Sequence, residues 1–100
     1  MKTMTKDEFK ALVQELKPEL PTCYLDEFPS SFHHEVRITH KENKAHNILV
    51  SWHPSGVIVS YRIPGAPKGQ QLAILALHIP SITVNYIVAT VKKYLYASEN

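Results

Sequence analysis

Histidine is the reactive residue type that this sequence concentrates most. Of its six histidines, five fall within one short stretch, namely His33, His34, His40, His46 and His53. Imidazole serves both as a metal ligand and as a general acid or base. If this stretch folds as a hairpin, His40 faces His46 across the turn, where both could hold a divalent ion with Glu42 or water. Their spacing matches no established zinc pattern, so we expect neither a metal nor a cofactor.

Catalytic chemistry has equally little support elsewhere in the sequence. A general acid or base needs a second group within hydrogen-bond reach, and the sequence identifies no such pair. Cys23 is the only cysteine, so it has no partner for a disulfide or a CxxC site, and we interpret it as a buried structural thiol. We therefore expect a protein that is not an enzyme.

The composition narrows the class of protein. A chain of 100 residues, 44% of them hydrophobic, can bury one core, which predicts a single domain over residues 1–100. Eleven Lys and Arg against nine Asp and Glu give a net charge of +2, too small to indicate a polyanion partner by itself. The N-terminus lacks the apolar core of a signal peptide, and the longest apolar run is too short to span a membrane. The expected location is cytoplasmic, with no membrane partner.

Three strands are predicted over residues 35–63, because β-branched and apolar residues alternate there with polar ones. A three-residue turn between the first two strands sets Val36 opposite Val50 and Ile38 opposite Ile48, so that these apolar side chains share one face. The remaining side chains of the two strands form a second, solvated face: Arg37, Thr39, Lys41, Asn47, Leu49 and Ser51.

Helices are predicted at both ends of the chain. The residues Thr5-Lys6-Asp7-Glu8 have the pattern of a capping box, and apolar residues follow at helical spacing, which predicts a helix over residues 5–17. A second apolar stripe predicts a helix over residues 84–95. The prolines of residues 18–34 indicate an irregular connection. Residues 70–79 are rich in Leu and Ala and favour a short helix, with a buried fourth strand as the alternative.

Together these elements predict an α+β fold. It has an N-terminal helix, a three-stranded or four-stranded antiparallel meander, and a C-terminal helix or helix pair packed on one face of the sheet. A helix, three strands and a helix is also the layout of double-stranded-RNA-binding domains, which have a lysine cluster where this chain has Ile79-Pro80-Ser81-Ile82.

The HicA-type messenger-RNA-cleaving toxins share this layout of a helix, three strands and a helix. Two segments loosely resemble these toxins, Ser31-Phe32-His33-His34 and His53-Pro54-Ser55-Gly56. The toxins carry their histidine in a Gly-Ser-His motif, whereas here the glycine is absent and a phenylalanine intervenes before His33. The resemblance implies a ribonuclease in which His33 activates the nucleophile.

The solvated face of the sheet is the predicted binding surface. We expect a small module that acts through contact with another protein, and an edge strand open to a partner strand or to a second copy. The predicted contact residues are Arg37, Thr39, Lys41, Asn47, Leu49, Arg62 and Lys68. Nucleic-acid binding is the alternative, because Trp52 and Tyr61 lie among cations as in base-stacking platforms. We interpret both aromatic residues as core.

Overall fold

The described residues form two α-helices and five strands. The computed structural model describes residues 3–42, 44, 46–62 and 73–96. The strands form one antiparallel sheet in the order β1-β2-β3-β4-β5, so neighbours in the chain are neighbours in the sheet. This arrangement confirms the α+β fold class. The elements are α1 (Lys6–Leu16), a 3-10 helix (Lys17–Glu19), β1 (Cys23–Pro29), β2 (His34–His40), β3 (Asn47–His53), β4 (Gly56–Arg62), β5 (Ala73–Ile79) and α2 (Val84–Tyr94).

Helix α1 begins at the predicted capping box. The Thr5 hydroxyl accepts the Glu8 backbone N–H at 3.1 Å, and the Glu8 carboxylate accepts the Thr5 backbone N–H at 2.9 Å. Two of the amides that a helix leaves without partners are thereby bonded. Within the described residues, neither this helix nor α2 is long and apolar enough to cross a membrane.

Removing the cap should weaken the fold measurably. We expect Thr5→Ala to lower the free energy of unfolding by about 1 kcal/mol, because the Glu8 amide loses its acceptor. Urea denaturation of the two proteins measures the difference. Thr3→Ala, an exposed threonine just before the cap, is the matched control and should change little. Equal losses in both variants would show that the cap contributes nothing specific.

The central strands pair in the predicted register. Val36 lies opposite Val50 and Ile38 opposite Ile48, as the coincidence of their apolar side chains requires. Strand β4 lies between β3 and β5, so both of its edges are paired.

The hydrophobic core lies between one face of the sheet and the two helices. Trp52 and Tyr61 are only 9% and 8% exposed, which confirms that both are core residues. The indole N–H of Trp52 donates to the Met4 carbonyl at 2.7 Å and so attaches the segment before α1 to the sheet. Side chains that are at most 1% exposed and belong to this core are Phe9, Val13, Leu16, Leu20, Val36, Ile38, Ile48, Val50, Val57, Val59, Ile87, Val91 and Leu95.

The prediction of an irregular connection over residues 18–34 is wrong for its central part, which is strand β1. The three prolines do not interrupt this strand. Pro18 lies in the 3-10 helix, Pro21 precedes the strand, and Pro29 ends it. Since β1 is an edge strand, a proline there can leave the hydrogen bonds of the sheet intact.

The prediction of a short helix over residues 70–79 is also wrong. Residues 73–79 form β5, paired with β4 from Val57↔Ile79 to Arg62↔Ala73, and residues 70–72 lie outside the described residues. The free edge of β4 supplies a hydrogen-bonding partner, which outweighs the helix propensity of Leu and Ala. The alternative, a fourth strand, is therefore correct. With β1 the sheet has five strands, where three or four were predicted.

Candidate functional site

The sheet surface opposite the helices is the candidate functional site, and we call it the open face. In the part of the chain that the structure describes, both helices pack on the other side, with the core. The open face consists of alternate side chains of β1 to β4, which are Tyr24, Asp26, Phe28, Glu35, Arg37, Thr39, Asn47, Leu49, Ser51, Ile58, Ser60 and Arg62.

Three large apolar side chains of the open face are exposed to solvent. Tyr24 is 46% exposed, Phe28 is 42% exposed and Ile58 is 38% exposed. Tyr24 and Phe28 stand on the edge strand β1 with Asp26 between them. Covering such side chains with a partner is favourable, by about 25 cal/mol for each Å² of apolar surface removed from water.

Each exposed aromatic ring of β1 has cationic side chains beside it. The Arg37 guanidinium carbon lies 5.0 Å from the centre of the Phe28 ring. The ammonium groups of Lys41 and Lys44 lie 5.4 Å and 5.8 Å from the centre of the Tyr24 ring. These distances are within the range of cation–π attraction, which holds the cations over the face of the rings. The open face therefore presents apolar surface and positive charge at the same points.

The structure brings most of the predicted contact residues together. Arg37 pairs with Leu49 across β2 and β3, and Asn47 pairs with Thr39 on one side and Arg62 on the other. Lys41 directly follows β2 and is exposed, whereas Leu49 is 8% exposed and offers little surface to a partner. Lys68 lies outside the described residues.

No family model, curated protein or solved structure matches this chain.

The sequence reasoning missed Tyr24, Phe28 and Ile58 as members of the open face. The prolines predict an irregular connection for the two aromatic residues, and such a connection assigns them to neither face of the sheet. A usable signal was present, since Cys23 and Leu25 alternate with Tyr24 and Asp26 in the manner of a half-buried strand. The prolines on either side of the segment indicate an irregular connection, and this interpretation outweighs the alternation.

Two histidines lie next to one end of the open face. The rings of His33 and His53 are stacked, with centres 5.6 Å apart and planes 7° apart. The Nδ1 atom of His33 is hydrogen-bonded to the Ser30 hydroxyl, and its Nε2 atom lies 3.6 Å from a Glu35 carboxylate oxygen. Ser30 also accepts the His33 backbone N–H, so its hydroxyl stabilises the turn between β1 and β2.

His40 and His46, the two histidines considered as metal ligands, both make other contacts. The Nδ1 atom of His40 accepts the Glu42 backbone N–H at 3.2 Å, and its ring packs edge-on against Tyr96. The Nδ1 atom of His46 is hydrogen-bonded to the Tyr61 hydroxyl. Burial, together with the nearby Tyr94, raises the pKa of Tyr61, so this hydroxyl keeps its proton and can donate it. Among the described residues, no three potential ligands are grouped closely enough to hold a metal ion.

A buried imidazole and a carboxylate join β1 to β2 on the core side of the sheet. His34 is 3% exposed, and its Nε2 atom lies 3.1 Å from a Glu27 carboxylate oxygen. Burial by itself raises the pKa of Glu27, but hydrogen bonds from His34 and Lys17, with the charge of Lys17, lower it further than burial raises it. The carboxylate is therefore ionised and accepts the Nε2 proton. The buried Nδ1 atom of His34 has no hydrogen-bond partner among the described residues.

A pocket of about 170 Å³ lies where β2 ends, at the opposite end of that strand from His33. It is lined by Pro21, Thr22, His40, Lys41 and Glu42. The Lys41 ammonium donates to the Pro21 carbonyl at 3.0 Å, so this cation already has a partner. Because a cation and a carboxylate both border the pocket, it selects neither sign of charge strongly.

Proposed function

We propose that this chain is a small non-enzymatic module that binds another protein through its open face. The observation that supports this proposal best is the group of exposed apolar side chains, Tyr24, Phe28 and Ile58, on a sheet face that neither described helix covers. Aromatic residues and arginine are enriched in protein interfaces and provide much of their binding energy. Arg37, held over Phe28, adds a bidentate donor for a carboxylate of the partner.

The mixture of charges on the open face favours a protein partner over a polyanion. Asp26 and Glu35 lie among the cations of this face, and the whole chain carries a net charge of only +2. Binding to nucleic acid draws most of its free energy from phosphate contacts and counterion release, which such a surface supplies poorly. A cytoplasmic location belongs to the proposal, and the single buried thiol of Cys23 is compatible with it.

Binding to single-stranded nucleic acid is the second candidate, favoured by one observation. Two ammonium groups, those of Lys41 and Lys44, lie over the exposed ring of Tyr24. A base can stack on an aromatic ring while neighbouring cations contact its phosphate, which is how sequence-tolerant single-strand sites work.

Charge reversal on the open face tests the proposal. We expect the double variant Arg37→Glu and Lys41→Glu to bind the partner at least about tenfold more weakly, because charged pairs across an interface become repulsive. Both residues are exposed, but Arg37→Glu lies opposite Asp26 on β1, where like charges cost up to about 1 kcal/mol, so a small fall in the denaturation midpoint is expected and binding is measured well below it. The partner is first captured from the native host with the wild-type chain, then purified, and its affinity for each variant is measured.

The control variant carries the same change of charge on the helices. Lys10→Glu with Lys92→Glu alters two exposed lysines of α1 and α2 and should leave the affinity for the partner unchanged. Equal weakening by both double variants would refute the open face as the binding surface. Capture that disappears after nuclease treatment, with affinity for single-stranded RNA or DNA that falls steeply with salt, would establish the second candidate instead.

A further inference from the structure

The outer edge of β1 has backbone groups that the sheet does not use. The Lys41 N–H donates to the Thr22 carbonyl at 3.0 Å, which makes these two residues a hydrogen-bonded pair. In an antiparallel pair of strands such pairs recur at every second residue. Tyr24, Asp26 and Phe28 are therefore the residues of β1 that exchange hydrogen bonds with β2.

The intervening residues of β1 direct their backbone groups away from β2. Cys23 agrees with this assignment, since its N–H donates to the Leu20 carbonyl at 3.1 Å. The N–H groups of Leu25 and Glu27 point outward in the same way, and Pro29 has no N–H to offer. Since β1 is the terminal strand of the sheet, no described strand lies beyond it. The outer edge of β1 thus offers a short additional strand two N–H donors, those of Leu25 and Glu27, and the carbonyl groups that alternate with them.

The side chains along this edge specify what such a strand should carry. Tyr24 and Phe28 are exposed on the open face at either side of Asp26, which is also exposed. Asp26 lies opposite Arg37 of β2, but the Arg37 guanidinium is placed over the Phe28 ring, and among the described residues no ion pair includes Asp26. Side chains directly opposite each other on adjacent strands interact, and opposite charges and apolar pairs are the favourable combinations. The complementary strand has a basic residue opposite Asp26 and apolar residues two positions before and after it.

A second copy of this chain does not meet that requirement. If two β1 strands paired antiparallel with full overlap, Asp26 of one copy would face Asp26 of the other. Like charges directly opposite each other are destabilising. The same carboxylate that attracts a basic strand therefore disfavours pairing of the chain with itself.

We propose that the β1 edge binds an extended segment of the partner protein as a sixth strand, with a basic residue of that segment opposite Asp26 and apolar residues beside Tyr24 and Phe28. This inference rests on the proposed function, since it names the kind of segment that a protein partner presents. Backbone hydrogen bonds to Leu25 and Glu27 supply the attachment, and the three side chains of β1 supply the selectivity.

Amide hydrogen exchange on the full chain tests the attachment. The probe is a seven-residue peptide in which threonine and valine alternate and lysine replaces the central valine. With the peptide in excess, we expect the Leu25 and Glu27 amides to exchange at least about tenfold more slowly. The Tyr24 and Asp26 amides, already bonded to β2, should not change. The same peptide with its β1-facing amides methylated should lose this effect.

A reversal of charge tests the selectivity. The wild-type chain should bind the lysine-centred peptide at least about tenfold more tightly than the glutamate-centred one, and Asp26→Lys should invert this order. Glu19→Lys changes the net charge equally in the exposed 3-10 helix and should keep the wild-type preference. If Glu19→Lys also inverted the preference, the net charge of the chain would account for the effect, and the inference would be overturned.

Three further results separate this inference from the proposed function. Equal binding of the methylated peptide would overturn the edge as the site, while the charge-reversal test of the open face could still succeed. Slow exchange of Leu25 and Glu27 in the free chain, together with a dimeric mass, would overturn the inference in favour of a second copy. Protection of both amides by the peptide, with no effect of Arg37→Glu and Lys41→Glu on partner affinity, would support the edge and refute the open face.

Discussion

Phe9→Ala is expected to lower the free energy of unfolding by about 3–5 kcal/mol, the usual cost of removing a fully buried phenylalanine side chain. Phe9 is 0% exposed, and its ring lies at 72° to the ring of His34, with 5.7 Å between the ring centres. It lies on α1 and packs in the core between helix and sheet. A domain of this length is stable by only about 5–15 kcal/mol, so the loss should be visible as a much lower denaturation midpoint.

The other two phenylalanines of the chain provide matched controls. Phe28 is 42% exposed on the open face, and Phe32 is 79% exposed in the turn between β1 and β2. Alanine at either position should change the free energy of unfolding by no more than about 0.5–1 kcal/mol. If Phe9→Ala does not fold, Phe9→Leu keeps most of the apolar volume and should fold with a smaller loss. Similar losses from Phe9→Ala and Phe32→Ala would contradict the placement of the core.

Glu27→Ala is expected to cost about 1–3 kcal/mol at neutral pH, because it leaves the buried Nε2 proton of His34 without an acceptor. The pKa of Glu27 in the folded chain lies below its ordinary value of about 4.5. The Glu27 carboxylate therefore stabilises the fold fully at pH values above its ordinary pKa. This stabilisation is lost as the pH falls through the lower pKa that Glu27 has in the folded chain. The difference between wild type and variant should shrink in acid below about pH 4.5.

Asp26→Ala is the control for this measurement, because it removes the carboxylate that directly precedes Glu27 in β1. Asp26 is exposed on the open face, and no described residue forms an ion pair with it, so the variant should unfold within about 0.5 kcal/mol of wild type. Denaturation of all three proteins between pH 3 and pH 7 gives the comparison. A stability difference between Glu27→Ala and wild type that did not vary with pH would show that the ionised carboxylate is not its source.

The candidate site was predictable only in part. Arg37, Thr39 and Asn47 could be assigned to one face because their alternation with buried residues is a local property of each strand. The same reasoning placed Leu49 with them, and the structure buries it to 8% exposure. The exposed fraction of a side chain depends on the residues of the strands on either side. The alternation within one strand carries no information about those residues.

The sequence by itself determined the elements whose causes are local. The capping box of Thr5 and Glu8 joins groups three residues apart, and the pairing of β2 with β3 is set by a short turn and two matching apolar patterns. In these cases the interacting groups are close in the chain, so their residue types suffice to predict the contact.

Only the tertiary structure decided the two outer strands and the surface that they complete. Strand β5 exists because β4 offers a free edge, and residues with helix propensity adopt the extended form to use it. Strand β1 likewise pairs with β2 despite the prolines around it, and this pairing sets Tyr24 beside Lys41 and Phe28 beside Arg37. Backbone hydrogen bonds between strands depend on which edge is available, and that availability arises only when the whole sheet assembles.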